Sequence, residues 1–298
     1  MRSAKKWTNP PRPDKLGPHK AKPRGRRVVS YTVDELMAVC IARQVRDGSL
    51  VVQGISTPMV AAGLVLAKLT HAPNVYFASA IGQALCSGWT PLGVARIEAL
   101  WIGQTNFTLG FVDSVTAILP TLKPQEFFRP AQVDPYGNFN NIALGKDYRR
   151  PRLRLPGTGG IPEVTTYFDQ IYLYVPRHSR AVFVAQLDFL SGMGHTPART
   201  RGAGPRYLVS DLGQFDWAGG RMRLVTHHPG VTVERVQAKT GFALEIAPDA
   251  HPTPPPTDEE LRLLREVIDP LGVRRLETLS GAARKGLLRQ ILAQEGAL

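Results

Sequence analysis

The sequence predicts an α/β protein with an open, mostly parallel sheet, flanking helices and antiparallel additions at one end. Three observations carry that expectation. Residues 49–54, Ser-Leu-Val-Val-Gln-Gly, read as a short buried strand leading through Ser56-Thr57-Pro58 into a helix that runs to Thr70. After Ala72-Pro73, the run Val75-Tyr76-Phe77-Ala78-Ser79-Ala80 reads as a second buried strand. Its carboxyl end belongs at the mouth of an open parallel sheet. Residues 207–210 and 222–226, around Gly213 and Gly219-Gly220, read as hairpin-like strands at one end.

The other elements follow from caps and periodicity. Thr32 with Glu35 three residues on is a capping-box pattern, and Leu36, Val39, Cys40 and Val45 recur at helical spacing, so 31–46 is an amphipathic helix ended by Asp47-Gly48. Residues 81–130 scatter Gly, Trp and Pro among short apolar runs; a short helix over 114–119 with loops elsewhere is expected. The sheet resumes at Ala131-Gln132-Val133, and 171–175 and 181–189 are strands, the latter followed by a Ser-Gly-Met-Gly turn. Thr232 starts a short helix to Thr240, with Gly241 as its C-terminal glycine. Prolines over 252–256 break the chain, Thr257 caps an acidic-started helix over 258–268, and 282–294 is a final basic amphipathic helix. The expected organisation is a basic, Pro-rich disordered extension over 1–27, an α/β domain over 28–272 and a basic helical segment over 273–298.

Charge is distributed unevenly. The chain carries a net +13, but residues 1–27 hold ten Lys or Arg against one Asp, so +9 belongs to this tail and only +4 to the rest. A basic tail rich in proline and poor in aliphatic residues cannot bury enough surface to offset the entropy of ordering. The body is therefore not expected to bind nucleic acid. The longest apolar run, residues 59–66, is far short of the ~20 residues of a membrane span. Cys40 and Cys86 have neither metal-ligand spacing nor the density of a secreted disulfide scaffold, which makes the cytoplasm the simplest location.

The chain is organised around residues 132–160. Gln-Val-Asp-Pro-Tyr-Gly-Asn-Phe-Asn-Asn is a strand end entering a turn, where Pro135 presets φ and Gly137 and Asn138 tolerate the left-handed conformation. A basic segment with Arg149, Arg150 and Arg152 follows, and then Leu-Pro-Gly-Thr-Gly-Gly. Gly157, Gly159 and Gly160 lack side chains that would block close approach, so main-chain N–H groups around Thr158 can face an oxyanion or a phosphate.

These two motifs, with Thr240-Gly241-Phe242 and Ile268-Asp269-Pro270, resemble the beta subunit of the glutaconate CoA-transferase group within the family I CoA-transferases. The resemblance spans roughly residues 31–270. It implies a CoA-transferase beta-subunit-like fold and an alpha subunit of the same family as partner, in a heterodimer or heterotetramer. A coenzyme A thioester is the implied substrate, with no bound cofactor and no metal. It also implies that Gln132, Asn138 and Asn141 line a substrate cleft and that Gly157, Thr158, Gly159 and Gly160 form the oxyanion or CoA loop.

In that family a beta-subunit glutamate at the end of a buried strand attacks the acyl-CoA and is captured by CoA as a glutamyl thioester. The matching position here is Ala78, followed by Ser79 as in the family's Glu-Ser-Gly, with Ala80 in the glycine's place. A methyl group is no nucleophile. Residues 75–93 hold no Asp or Glu, and Glu98 is the nearest downstream. A decarboxylase branch carries cysteine at the glutamate's position; Cys86 lies eight residues later and otherwise reads as a small buried hydrophobe. His195 sits in a Gly-rich turn, and His227 and His228, adjacent on a strand, project to opposite faces.

The segments Val209-Ser210-Asp211-Leu212-Gly213, His228-Pro229-Gly230-Val231-Thr232 and Thr257-Asp258-Glu259-Glu260-Leu261-Arg262 resemble the branch of hydrolases that cut a carbon–carbon bond in a cyclic CoA thioester during steroid breakdown. The resemblance therefore implies hydrolytic C–C cleavage, with acid and base groups supplied by the alpha subunit. The alternatives are an acyl-CoA decarboxylase, a transferase using another nucleophile, and a non-catalytic scaffold subunit.

Overall fold

Short strands that are apolar on both faces need cover on both faces, and the centre of this protein is built that way. The computed structural model describes residues 30–54, 57–79, 83–95 and 102–298, and residues 31–298 form the unit described below. The N-terminal extension over 1–27, Ala80 and Glu98 lie outside the described residues.

The strands in chain order are β1 (Leu50–Gln53), β2 (Tyr76–Ser79), β3 (Ala84–Cys86), β4 (Thr105–Thr108), β5 (Gln125–Phe128), β6 (Gln132–Val133), β7 (Phe139–Asn140), β8 (Ala143–Leu144), β9 (Leu153–Arg154), β10 (Gln170–Val175), β11 (Pro205–Ser210), β12 (Gly213–Ala218), β13 (Arg221–His227) and β14 (Glu245–Pro252). Ten of them form one sheet in the order β14-β13-β12-β11-β10-β5-β1-β2-β3-β4. The centre, β11-β10-β5-β1-β2, is parallel throughout. Antiparallel pairing adds β12 and β13 on one side and β3 and β4 on the other.

Alternation along these strands divides the core in two. Val51, Phe77, Phe127 and Tyr174 face the helices Val33–Ala42 and Pro58–Thr70. Val52, Ala78, Phe128 and Leu173 face the opposite side, where Phe139 and Phe168 cover them. The helix Pro58–Thr70 lies tightly on its neighbour, because a Cβ at Gly63 would stand 2.6 Å from Ile41 Cγ2 and 2.8 Å from the Ala38 carbonyl.

Thr32 and Glu35 make the expected capping box, but the helix Val33–Ala42 is not amphipathic: every residue from Asp34 to Ala42 is buried. Its acidic end is neutralised inside the protein. Arg274 reaches Asp34 at 3.0 Å, Glu35 at 3.1 Å and Asp269 at 2.8 Å, and Arg265 reaches Glu35 at 2.7 Å. Burial alone would raise the Glu35 carboxyl; hydrogen bonds from Arg265 and the Thr32 N–H, with the charge of Arg274, hold it down at about 2. Val273, Leu276 and Ile291 from the last stretch of the chain also pack in the helix-side core.

Several expected elements differ. Gln132–Val133 does not resume the main sheet; it forms a two-stranded hairpin with Phe139–Asn140. Residues 181–189 are not a strand. The N–H groups of Val182 and Phe183 are taken by Ser179, Val133 exchanges bonds with Val182 and Val184, and the Phe183 carbonyl accepts from Gly241, which leaves only a bridge between Val133 and Phe183. Gly241 is required for that close approach to Phe183, not for a left-handed cap. Within 81–130 the structure adds three strands, β3, β4 and β5, and the helical segment there is longer, 111–122. β14 runs through Pro248 and Pro252, which an edge strand tolerates.

Candidate active site

Ala78 lies near the carboxyl end of β2, opposite Val52 of β1 and Leu85 of β3. Its methyl is 3% exposed and belongs to the core on the loop side of the sheet. Ser79, also buried, pairs with Gln53 and turns to the other face.

The Asp134–Asn138 turn folds on its own carboxylate. Asp134 accepts the N–H groups of Tyr136 at 2.9 Å and Asn138 at 3.0 Å through Oδ1, and Asn138 Nδ2 at 2.9 Å through Oδ2. Burial raises this carboxyl above the ordinary aspartate value against the pull of those donors. Asn138 Oδ1 in turn accepts the Gly194 N–H at 2.7 Å, and Gln132 Oε1 accepts Asn140 Nδ2 at 2.8 Å and the Asp188 N–H at 3.1 Å. Asn141 ties this loop to the end of β5: its Oδ1 accepts the Ala131 N–H at 2.9 Å and its Nδ2 donates to the Arg129 carbonyl at 3.2 Å. The polar side chains expected in a cleft thus brace the loop beside the sheet's carboxyl edge.

The glycine loop hangs from this brace. The Gly157 N–H donates to the Asn141 carbonyl at 3.0 Å. Gly157 and Gly159 have φ of +106° and +50°, a region that L side chains rarely adopt, and nothing lies within 4 Å of where their Cβ atoms would stand. Ile161 and Val164 donate to the carbonyls of Thr158 and Gly160. Among the described residues, no main-chain acceptor takes the N–H groups of Thr158, Gly159 or Gly160. The space on the Cβ side of Gly157 and Gly159 is open.

One buried acid escapes the sequence reading. Glu126, on β5, stands opposite Val52 on one side and Ile171 on the other, so Ile171, Glu126, Val52 and Ala78 form one row across four parallel strands. Two strand spacings separate Glu126 and Ala78, roughly 10 Å between Cα atoms. Glu126 is 6% exposed, and its Oε1 lies 3.8 Å from where a Gly54 Cβ would be, at the end of β1. Burial, with no charge among the described residues to oppose it, pushes this carboxyl up to about 8. The signal in the sequence was a single acid inside Gln-Glu-Phe-Phe between two prolines.

The other candidates are placed elsewhere. Cys86 pairs with Phe77 in the helix-side core, and burial pushes its thiol up to about 11, so it is no thiolate at neutral pH. His195 stacks near Trp217, with its Nε2 2.7 Å from the Pro205 carbonyl. His228 is buried between the Ser210 carbonyl at 2.8 Å and Thr253 at 3.0 Å. Arg149 and Arg150 are exposed on the segment before β9.

The profile of the coenzyme A transferase family matches residues 35–239. The chain belongs to the coenzyme A transferase family. Among curated members, the chain is 32% identical to the corresponding subunit of the 3-oxoadipate CoA-transferase from Pseudomonas knackmussii, over 79% of this chain and 93% of that one. It is 37% identical to the cholesterol ring-cleaving hydrolase IpdB subunit of Rhodococcus jostii, over 75% of this chain and 88% of that one. Among solved structures, the decarboxylase AibA/AibB superposes with a TM-score of 0.73 and 26% identity, covering 82% of this chain and 97% of its match. Transferase, hydrolase and decarboxylase thus share this family's fold, and membership alone does not choose the reaction.

Proposed function

We propose that this chain is the beta subunit of a heteromeric coenzyme A transferase-family enzyme that acts on an acyl-CoA thioester without forming a glutamyl thioester on this chain. The observation that carries the reading is Ala78: a buried methyl stands at the end of β2, where the family resemblance puts the attacking glutamate. The reaction proposed is hydrolytic C–C cleavage of a cyclic CoA thioester. Water adds to a ring ketone, the tetrahedral oxyanion collapses, and the electrons of the broken bond pass to the carbon α to the thioester, which then takes a proton. One water is consumed and nothing is oxidised or reduced.

In this reading the N–H groups of Thr158, Gly159 and Gly160 stabilise the developing oxyanion, with Gly157 as their anchor. Gln132, Asn138 and Asn141 hold that loop at the cleft, and Ser79 supports the floor. The alpha subunit closes the second wall, in a heterodimer or heterotetramer, and contributes the base that activates water. No bound cofactor is called for, and the cytoplasm is the proposed location. A decarboxylase is the second reading, favoured by the similarity to AibA/AibB.

The test is co-expression with a neighbouring alpha-like chain and mass spectrometry of a panel of acyl-CoA thioesters. A product heavier than the substrate by one water supports hydrolysis. Loss of carbon dioxide selects decarboxylation, and exchange of CoA between two acids selects transfer.

A further inference from the structure

Resting on the acyl-CoA reading above, we propose that Glu126 is the general acid of this chain, donating its proton to the carbon α to the thioester as the C–C bond breaks. The first support is position. Glu126 shares a row and a face with Ala78, so its side chain belongs to the same side of the sheet as the residue in the glutamate's place. Val52 stands between them, and beyond Val52 on β1 comes Gly54, whose Cβ position lies 3.8 Å from Glu126 Oε1, so the carboxyl reaches toward the sheet's carboxyl edge.

The second support is the absence of a structural task. Glu277, also buried, accepts the Met59 N–H, the Arg129 guanidinium and the Tyr174 hydroxyl, and so joins three elements. Glu126 is buried to the same degree, yet among the described residues no hydrogen bond or ion pair reaches its carboxyl. A buried acid that braces nothing is costly to keep.

The third is the brace itself. Asn141, which holds Gly157, bonds to Arg129 and Ala131, three and five residues beyond Glu126 on the same stretch. Acid and loop are therefore held by one strand end. Burial keeps the acid neutral at pH 7, as a proton donor must be. The step balances: the Glu126 O–H bond breaks, a C–H bond forms at the α-carbon, and the carboxylate regains a proton from water.

The test uses the co-expressed complex with the alpha-like chain. Glu126→Gln should lower kcat by about 10²–10⁴, the usual contribution of a general acid, with KM changed only a few-fold and the melting temperature not reduced. The wild-type kcat should fall as pH rises through about 8, and the variant should lack that limb. A kcat within threefold of wild type, or an unchanged alkaline limb in the variant, overturns the proposal. A second readout separates it from the functional reading: the infrared band of the neutral carboxyl, assigned by its loss in Glu126→Gln, should shift when acetoacetyl-CoA is added. If the complex turns over no thioester, the hydrolytic reading fails while a shifted band still puts Glu126 at the acyl group. A band that does not move overturns the proposal.

Discussion

The main-chain N–H of Gly157 donates to the carbonyl of Asn141 at 3.0 Å, and the Asn141 side chain is itself fixed to Arg129 and Ala131 beside β5. A glycine loop whose next three N–H groups have no main-chain acceptor among the described residues is thereby tied down at one end. Such preorganisation is what oxyanion stabilisation requires, since donors that must reorganise during the reaction lose most of their effect.

The loop can be tested without disturbing the core. Gly159 has φ +50° and open space around it, so Gly159→Val meets no clash but is forced out of its backbone conformation. Turnover of the complex should fall by about 10²–10³, the loss typical of one oxyanion donor. Its melting temperature should change little.

Asn141→Ala removes both side-chain bonds of the brace, to Ala131 and Arg129. Turnover should fall by about tenfold or more, with stability lowered by about 1 kcal/mol in urea titration, in line with one part-buried and one exposed hydrogen bond.

Arg274 is 3% exposed and neutralises Asp34, Glu35 and Asp269 together. Arg274→Met leaves buried carboxylates without their counter-charge. Denaturant unfolding should show a loss of about 3–5 kcal/mol, the usual result of removing one side of a buried ion pair.

Two histidines set an acid limit. His178 is stacked on Phe183 at 3.5 Å between Ser210 and Thr240, and burial holds its pKa at about 3; His228 is held at about 4, chiefly by burial. Both folded values lie below the unfolded value of about 6.5, so the unfolded chain binds more protons in the window between. Their stabilising contribution is complete above about pH 6.5 and is lost as pH falls toward 4. Urea midpoints measured across that range should drop, and His178→Asn should flatten part of the slope.

Much of this arrangement is written locally. The βα unit ending at Thr70, the capping box at Thr32 and the helix cap at Thr257 depend on neighbours within a few residues, and they appear in the structure as read. β5 was hidden because Pro124 and Pro130 flank a mixed Gln-Glu-Phe-Phe run whose strand character comes from β1 and β10 on either side. For the same reason Glu126 could not be recognised: its burial belongs to its neighbours. The buried Val33–Ala42 helix depends on Arg274, some 240 positions away in sequence. Gln132, Asn138 and Asn141 stood out as motif residues, yet their bonds to Asn140, Gly194 and Arg129 are tertiary facts.

Ala78→Glu restores a carboxyl group to the family's position, but in a site where the native side chain is a buried methyl among Val52 and Leu85. Hydrolytic turnover of the complex should not rise in this variant, because the proposed route passes water, not a carboxylate, to the substrate. An increase measured by product mass spectrometry would count against the assignment of Ala78.

The most direct measurement is borohydride treatment of the complex after incubation with its acyl-CoA substrate. Borohydride reduces an enzyme-bound glutamyl thioester to an alcohol and destroys any activity that depends on it. The enzyme should retain its full activity, with no reduced residue found on this chain by peptide mass spectrometry. Substrate-dependent inactivation with a reduced glutamate mapped to this chain would contradict the account.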